Sequence, residues 1–171
     1  MKVAFVFCLL LLAFPVTSQI ISSDWESELS KMLTEFKTCM QEAKNFKCKS
    51  TIGESIYSLY GIEDFYQKST DRHATALEIA NNIDGKASWE KLGQAYEQAL
   101  LDKAQAIANK KQPVLAVYKD ETGSVAHVVL VLPGELIPSG SWGLQVPRVA
   151  SFFTHKPEKS FVDKTLAYAF S

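Results

Sequence analysis

Residues 45–61 read NFKCKSTIGESIYSLYG, and the rest of the chain is arranged around this stretch. Ile52, Ile56 and Leu59 recur at helical spacing and Gly61 follows as a C-terminal cap, so the pattern predicts a helix opened by Cys48. A thiol at a helix start faces unpaired N–H groups and the positive end of the dipole, which favour the nucleophilic thiolate. Lys47 and Lys49 push the same way. The plainer alternative makes Cys48 a small core residue or one half of a disulfide.

Upstream, Ser23 to Glu26 has the spacing of a capping box. Trp25, Leu29, Met32, Leu33, Phe36 and Met40 then mark one stripe, so an amphipathic helix is expected to about Ala43. Cys39 lies at the edge of that stripe. It is expected to pack there without bonding to Cys48. Further back, Lys2, the apolar run Val3–Phe14 and the small residues Val16-Thr17-Ser18 have the order of a secretory leader cut ahead of Gln19. That division gives a leader over 1–18 and one domain over 19–171, with a secreted, extracellular destination. No stretch is long enough to cross a membrane as a helix. Of three cysteines, Cys8 would leave with the leader, and a remaining pair in an oxidising compartment ordinarily forms a disulfide.

Downstream, Ile62–Arg72 reads as a surface loop and Ala74–Ala80 as a short helix. His73 reads as a solvated surface residue. A long helix, capped by Ser88, is expected from Trp89 to about Asn109. The character then changes. Val114–Tyr118 is β-rich, Asp120–Gly123 is a turn, and Val125–Leu132 (VAHVVLVL) is apolar on both faces, as a central strand is. Trp142–Ala150 reads as one or two strands broken by Pro147, and Phe161–Phe170 as a closing strand. Helices first and antiparallel strands after define an α+β class, with N-terminal helices packed on an antiparallel sheet.

Charge narrows function. With 18 basic and 19 acidic residues the chain carries a formal charge of −1. It has no electrostatic case for nucleic acid, nor the cationic surface that disrupts bilayers. No metal or cofactor is called for, and a monomer is expected. His127 is the one polar residue within VAHVVLVL and shares a strand face with Val125, Val129 and Val131. It is either a satisfied core histidine or the base for a nucleophile brought to it in space.

NFKC before an amphipathic helix, AHVVLVLPGEL and then SGSWGLQVP together resemble the papain-like amidases of the NlpC/P60 superfamily. The resemblance is to the second family of type VI secretion amidase effectors and their secreted relatives in ticks and other arachnids. It spans about Asn45 to Phe170. One departure is Ala126, where the wider superfamily has glycine before the histidine. The resemblance implies a papain-like fold and a thiol peptidase acting on bacterial peptidoglycan, cutting the D-alanine to diaminopimelate cross-link. It makes Cys48 the nucleophile and His127 the base, with an imidazolium beside a thiolate at rest. Ser139, Ser141, Gln145 and Glu135 are candidates to orient the base, His155 reads as a surface residue, and a bare Cys48–His127 dyad is the alternative. Asn45 or Gln41 is a candidate donor to the oxyanion. Tyr57, Tyr60, Phe65 and Trp142 are candidate cleft walls. Two alternatives stay open. One is an amidase for the γ-D-glutamyl–diaminopimelate bond. The other is a non-catalytic secreted wall-binding or inhibitor protein with a Cys39–Cys48 disulfide.

Overall fold

The computed structural model of the chain describes residues 9–13, 21–42 and 46–170. Its first element is a strand, β1 (Leu9–Ala13). Helix α1 (Trp25–Glu42) follows, built on the predicted stripe with Leu29, Phe36 and Met40 buried. Its entry is fixed by Ser22, which accepts from the Asp24 N–H and bonds Glu28, and not by the box expected at Ser23. One turn, α2 (Phe46–Lys49), carries Cys48, and α3 (Thr51–Tyr60) starts after it. Gly61 ends α3 in the left-handed conformation, φ 68°, donating to the Tyr57 carbonyl. Cys48 therefore sits a turn ahead of the long helix, which opens at Thr51.

A small hairpin, β2 (Tyr66–Gln67) and β3 (Arg72–His73), lies within and just past the segment read as a loop. Helix α4 (Ala76–Asn82) is capped by Thr75 in a complete capping box with Glu78, whose carboxylate also takes Arg72 in two hydrogen bonds of 2.6 and 2.8 Å. The helix expected from Trp89 is split. Glu90–Gln94 forms strand β4, and only Gln98–Asn109 is helical, as α5. Two things override the helical periodicity of 89–96. β4 gains a ladder with β1, and Gly93 takes φ 140°, outside any helix. Ser88 caps nothing; its hydroxyl bonds Asp64, which also accepts from the Trp89 indole.

The β-rich half follows its sequence closely. It comprises β5 (Val114–Lys119), β6 (Ala126–Val131), β7 (Ile137–Ser139), β8 (Leu144–Val146), β9 (Arg148–Ser151) and β10 (Phe161–Thr165). Pro147 separates β8 from β9 as expected. The closing strand stops at Thr165 and one turn of helix, α6 (Leu166–Ala169), completes it. The main sheet has six strands in the order β10-β9-β6-β5-β1-β4, and every neighbouring pair is antiparallel. β7 and β8 form a separate hairpin. The α+β class with an antiparallel sheet is thus the architecture.

Leu9–Ala13 lies inside the run expected to be a leader, yet here it lies between β5 and β4 with Leu11, Leu12 and Ala13 buried. A leader and a central strand both demand uninterrupted apolar residues, so composition does not separate them. The segment expected to be cut, around Ser18, lies outside the described residues.

The sheet separates two cores. On one side Val128, Leu130 and Leu132 pack with Phe36, Ile52, Ile56 and Ile79 from α1, α3 and α4. On the other, Val129 and Val131 pack with Leu101, Ala104 and Leu166 from α5 and α6. α3 lies so close to the chain after β3 that a Cβ on Gly53 would come within 2.5 Å of the Ala74 carbonyl oxygen. Among the described residues no helix is long and apolar enough to cross a membrane.

Candidate functional site

Cys48 is buried, and its sulfur is bonded to Cys39: the S–S distance is 2.07 Å and the Cα atoms are 5.6 Å apart. This corrects the expectation of an unbonded Cys39. Cys39 does lie on the α1 stripe beside Phe36 and Met40, but α1 packs against the α2–α3 segment and brings the two thiols within bonding reach. A disulfide sulfur has no proton to lose, so the expected thiolate–imidazolium pair is not formed. The Thr51 hydroxyl donates to the Cys48 carbonyl at 2.8 Å, holding the turn into α3. A cavity of about 380 Å³ runs along the bridge, lined by Met32, Glu35, Phe36, Lys47, Thr51 and Glu54 beside the two cysteines, and no histidine is among its walls.

His127 stands opposite Tyr118 in the β5–β6 ladder. By strand alternation it shares the face of Val129 and Val131, which is the α5–α6 side. Cys48 belongs to the core on the other side, with Val128 and Leu130. The sheet therefore lies between the two residues, and the structure does not bring them together. Nε2 of His127 is 2.9 Å from the Ser151 hydroxyl. The ring stacks on Phe153 with centroids 4.4 Å apart, and meets Phe170 edge-on at 5.4 Å. Burial pushes its pKa down to about 4, so the imidazole is neutral at physiological pH. One ring nitrogen is satisfied by a hydroxyl, and the half-buried ring sits at the edge of the α5–α6 core.

The remaining candidates are scattered. Ser139 bonds Ser141 and accepts from the Trp142 N–H, all within the turn between β7 and β8. Gln145 exchanges backbone hydrogen bonds with the Gln98 side chain. Glu135 and Gln41 are exposed, and Asn45 lies outside the described residues. His155 is exposed and lines a cavity beside His127. Of the expected cleft walls, Tyr60 and Phe65 are core residues, Trp142 packs on the α5–α6 side, and Tyr57 is 43% exposed. His73 is half-buried between Tyr57 and Tyr66 rather than solvated, and its Nδ1 is sealed without a partner.

The residue missed in the sequence is Ser151, the partner of His127. It is fully buried at the end of β9, paired with Val129, and nothing but strand alternation on two separate strands could have aimed it at the histidine. Its hydroxyl is buried and is hydrogen-bonded to the His127 ring. Among the described residues no group of histidine, cysteine or carboxylate side chains is arranged to hold a metal. No protein-family model, no curated protein and no solved structure matches the chain.

Proposed function

We propose that this protein is a secreted, non-catalytic binding protein for bacterial cell-wall peptides, stapled by Cys39–Cys48. Its scaffold is the NlpC/P60-like one that the AHVVLVLPGEL and SGSWGLQVP segments resemble. One observation carries the reading: the sulfur that would attack is tied to Cys39, while the base that would assist it lies across the sheet. Thiol acyl transfer needs a free sulfur in hydrogen-bond reach of its base. The secreted location rests on the disulfide, a bond that persists in oxidising compartments, while Leu9–Ala13 of the leader-like run is a strand of the main sheet here.

The test is to incubate the native protein with insoluble peptidoglycan, sediment it, and analyse both fractions. The protein should sediment with the wall and release no muropeptides, and Cys48→Ala should change neither result beyond its effect on stability. Release of muropeptides that disappears in folded Cys48→Ala protein would overturn the proposal.

A second reading is favoured by the cavity along the disulfide, which would expose Cys48 once the bridge is reduced. It is an amidase held latent by oxidation, cutting the D-alanine to diaminopimelate or the γ-D-glutamyl linkage. Its base would then be a carboxylate, Glu35 or Glu54, and not His127. Muropeptide release only after mild reduction would favour it.

A further inference from the structure

On the α5–α6 side a cavity of about 450 Å³ opens over His127. That is the size of a small-molecule site. Its floor is aromatic: Tyr118, Phe153 and Phe170 surround the imidazole. Its mouth holds Val125 and Tyr168, which are 50% and 44% exposed and are two of only four large apolar side chains left so open among the described residues. Tyr168 is held in place by the Lys164 ammonium, 4.2 Å from its ring centroid. The rim is basic. His155, Lys156 and Lys159 line it, and among the described residues no carboxylate side chain does. His127 adds a directed polar atom. Ser151 occupies Nε2, while Nδ1 has no hydrogen-bond partner among the described residues and is not sealed in the interior.

Aromatic rings below and cations at one edge specify a ligand with two parts. The flat apolar part stacks on Phe153 and Phe170, and the anionic part meets Lys156 and Lys159. We infer that this cavity binds a small organic anion of the aromatic-carboxylate class, with the ring against Phe153 and the carboxylate toward Lys156 and Lys159. A bare inorganic anion would leave the aromatic floor unused, and a polyanion would need a longer basic track than two lysines and a histidine. The neutral imidazole leaves Nδ1 free to donate to, or accept from, a ligand oxygen. This site lies on the face opposite the disulfide, and a sedimentation assay measures wall binding separately.

The test uses benzoate as probe, titrated into the full folded chain at constant ionic strength. The ring-proton NMR signals of His127 report the cavity, and calorimetry reports affinity in the millimolar range proper to so small a molecule. Benzamide has the same body without the charge, and acetate has the charge without the body. Expected is a saturable shift of the His127 signals with benzoate, at least tenfold weaker binding of benzamide, and no saturation with acetate. The K156Q/K159Q double variant, whose changes are exposed and leave the core intact, should bind benzoate at least tenfold more weakly with unchanged circular dichroism. Three results overturn the inference: no saturable His127 shift with benzoate, benzamide binding as tightly as benzoate, or an unaltered affinity in the double variant.

Discussion

The two faces of β6 belong to different layers of the molecule. One carries Val128 and Leu130 into the apolar layer under α1 and α3, where Cys39 and Cys48 are bonded to each other beside a cavity. The other carries His127 to the end of a second layer that stays open, with aromatic walls and lysines at its mouth. The difference teaches that one step along a strand decides between them. A histidine in place of Val128 would point at the disulfide layer; His127 points away from it.

The comparison can be broken first at the strand that both faces share. Leu11 and Ala13 fill the α5–α6 layer and Leu12 the α1–α3 layer. A chain beginning at Gln19 loses all three, and burial of two leucines alone contributes roughly 3–6 kcal/mol. Thermal unfolding of the chain with and without residues 1–18 should show this as the largest loss of stability here. Equal stability would mean that β1 adds nothing to the sheet, and that β5 finds another neighbour once the leader is cut.

Next is the α1–α3 face itself. Phe36 is 2% exposed and meets Phe152 edge-on at 5.5 Å. Phe36→Ala should cost about 3–5 kcal/mol by denaturant unfolding, with the cavity around Cys48 enlarged. The staple comes third. Cys39 and Cys48 are 9 residues apart, a loop whose closure contributes roughly 2–3 kcal/mol through the unfolded state. Cys39→Ser with Cys48→Ser should lose that much while the far-ultraviolet spectrum and the His127 NMR signals stay as they are, because the sheet insulates the open face.

An effect that acts only at acid pH sharpens the open face. The His127 pKa is near 4 when folded and near 6.5 when unfolded, so between those values the unfolded chain binds the extra proton. This contribution is complete above pH 6.5 and lost as pH falls toward 4. His127→Gln should flatten that part of the stability profile. A second acid limb should remain, from about 4.5 down to about 2, because the Arg72 guanidinium holds the Glu78 carboxyl well below its ordinary value. A profile unchanged in His127→Gln would place the histidine in water.

Much of the sheet was legible in the sequence. Strand alternation placed His127 with Val129 and Val131, and Gly61, Pro147 and the Asp120–Gly123 turn fell at the boundaries they mark. The pairing of Cys48 with His127 was not legible. A strand apolar on both sides says which of its residues share a face, but not which face a distant helix will cover. The helix expected over 89–109 failed for a related reason. Trp89 to Tyr96 carry a helical stripe, and only the ladder with β1, far away in sequence, turns that stretch into a strand. The Cys39–Cys48 bond was weighed as a possibility from composition, and the packing of α1 on α3 decided it.

The most direct test of the account is thiol mapping of the native, unreduced chain. Alkylation of the folded protein, digestion without reductant and mass spectrometry should recover one linked peptide pair joining Cys39 to Cys48, with no alkyl group on either residue. Recovery of Cys48 alkylated from the folded native protein would contradict the account, because it would return a free nucleophile to the start of the helix.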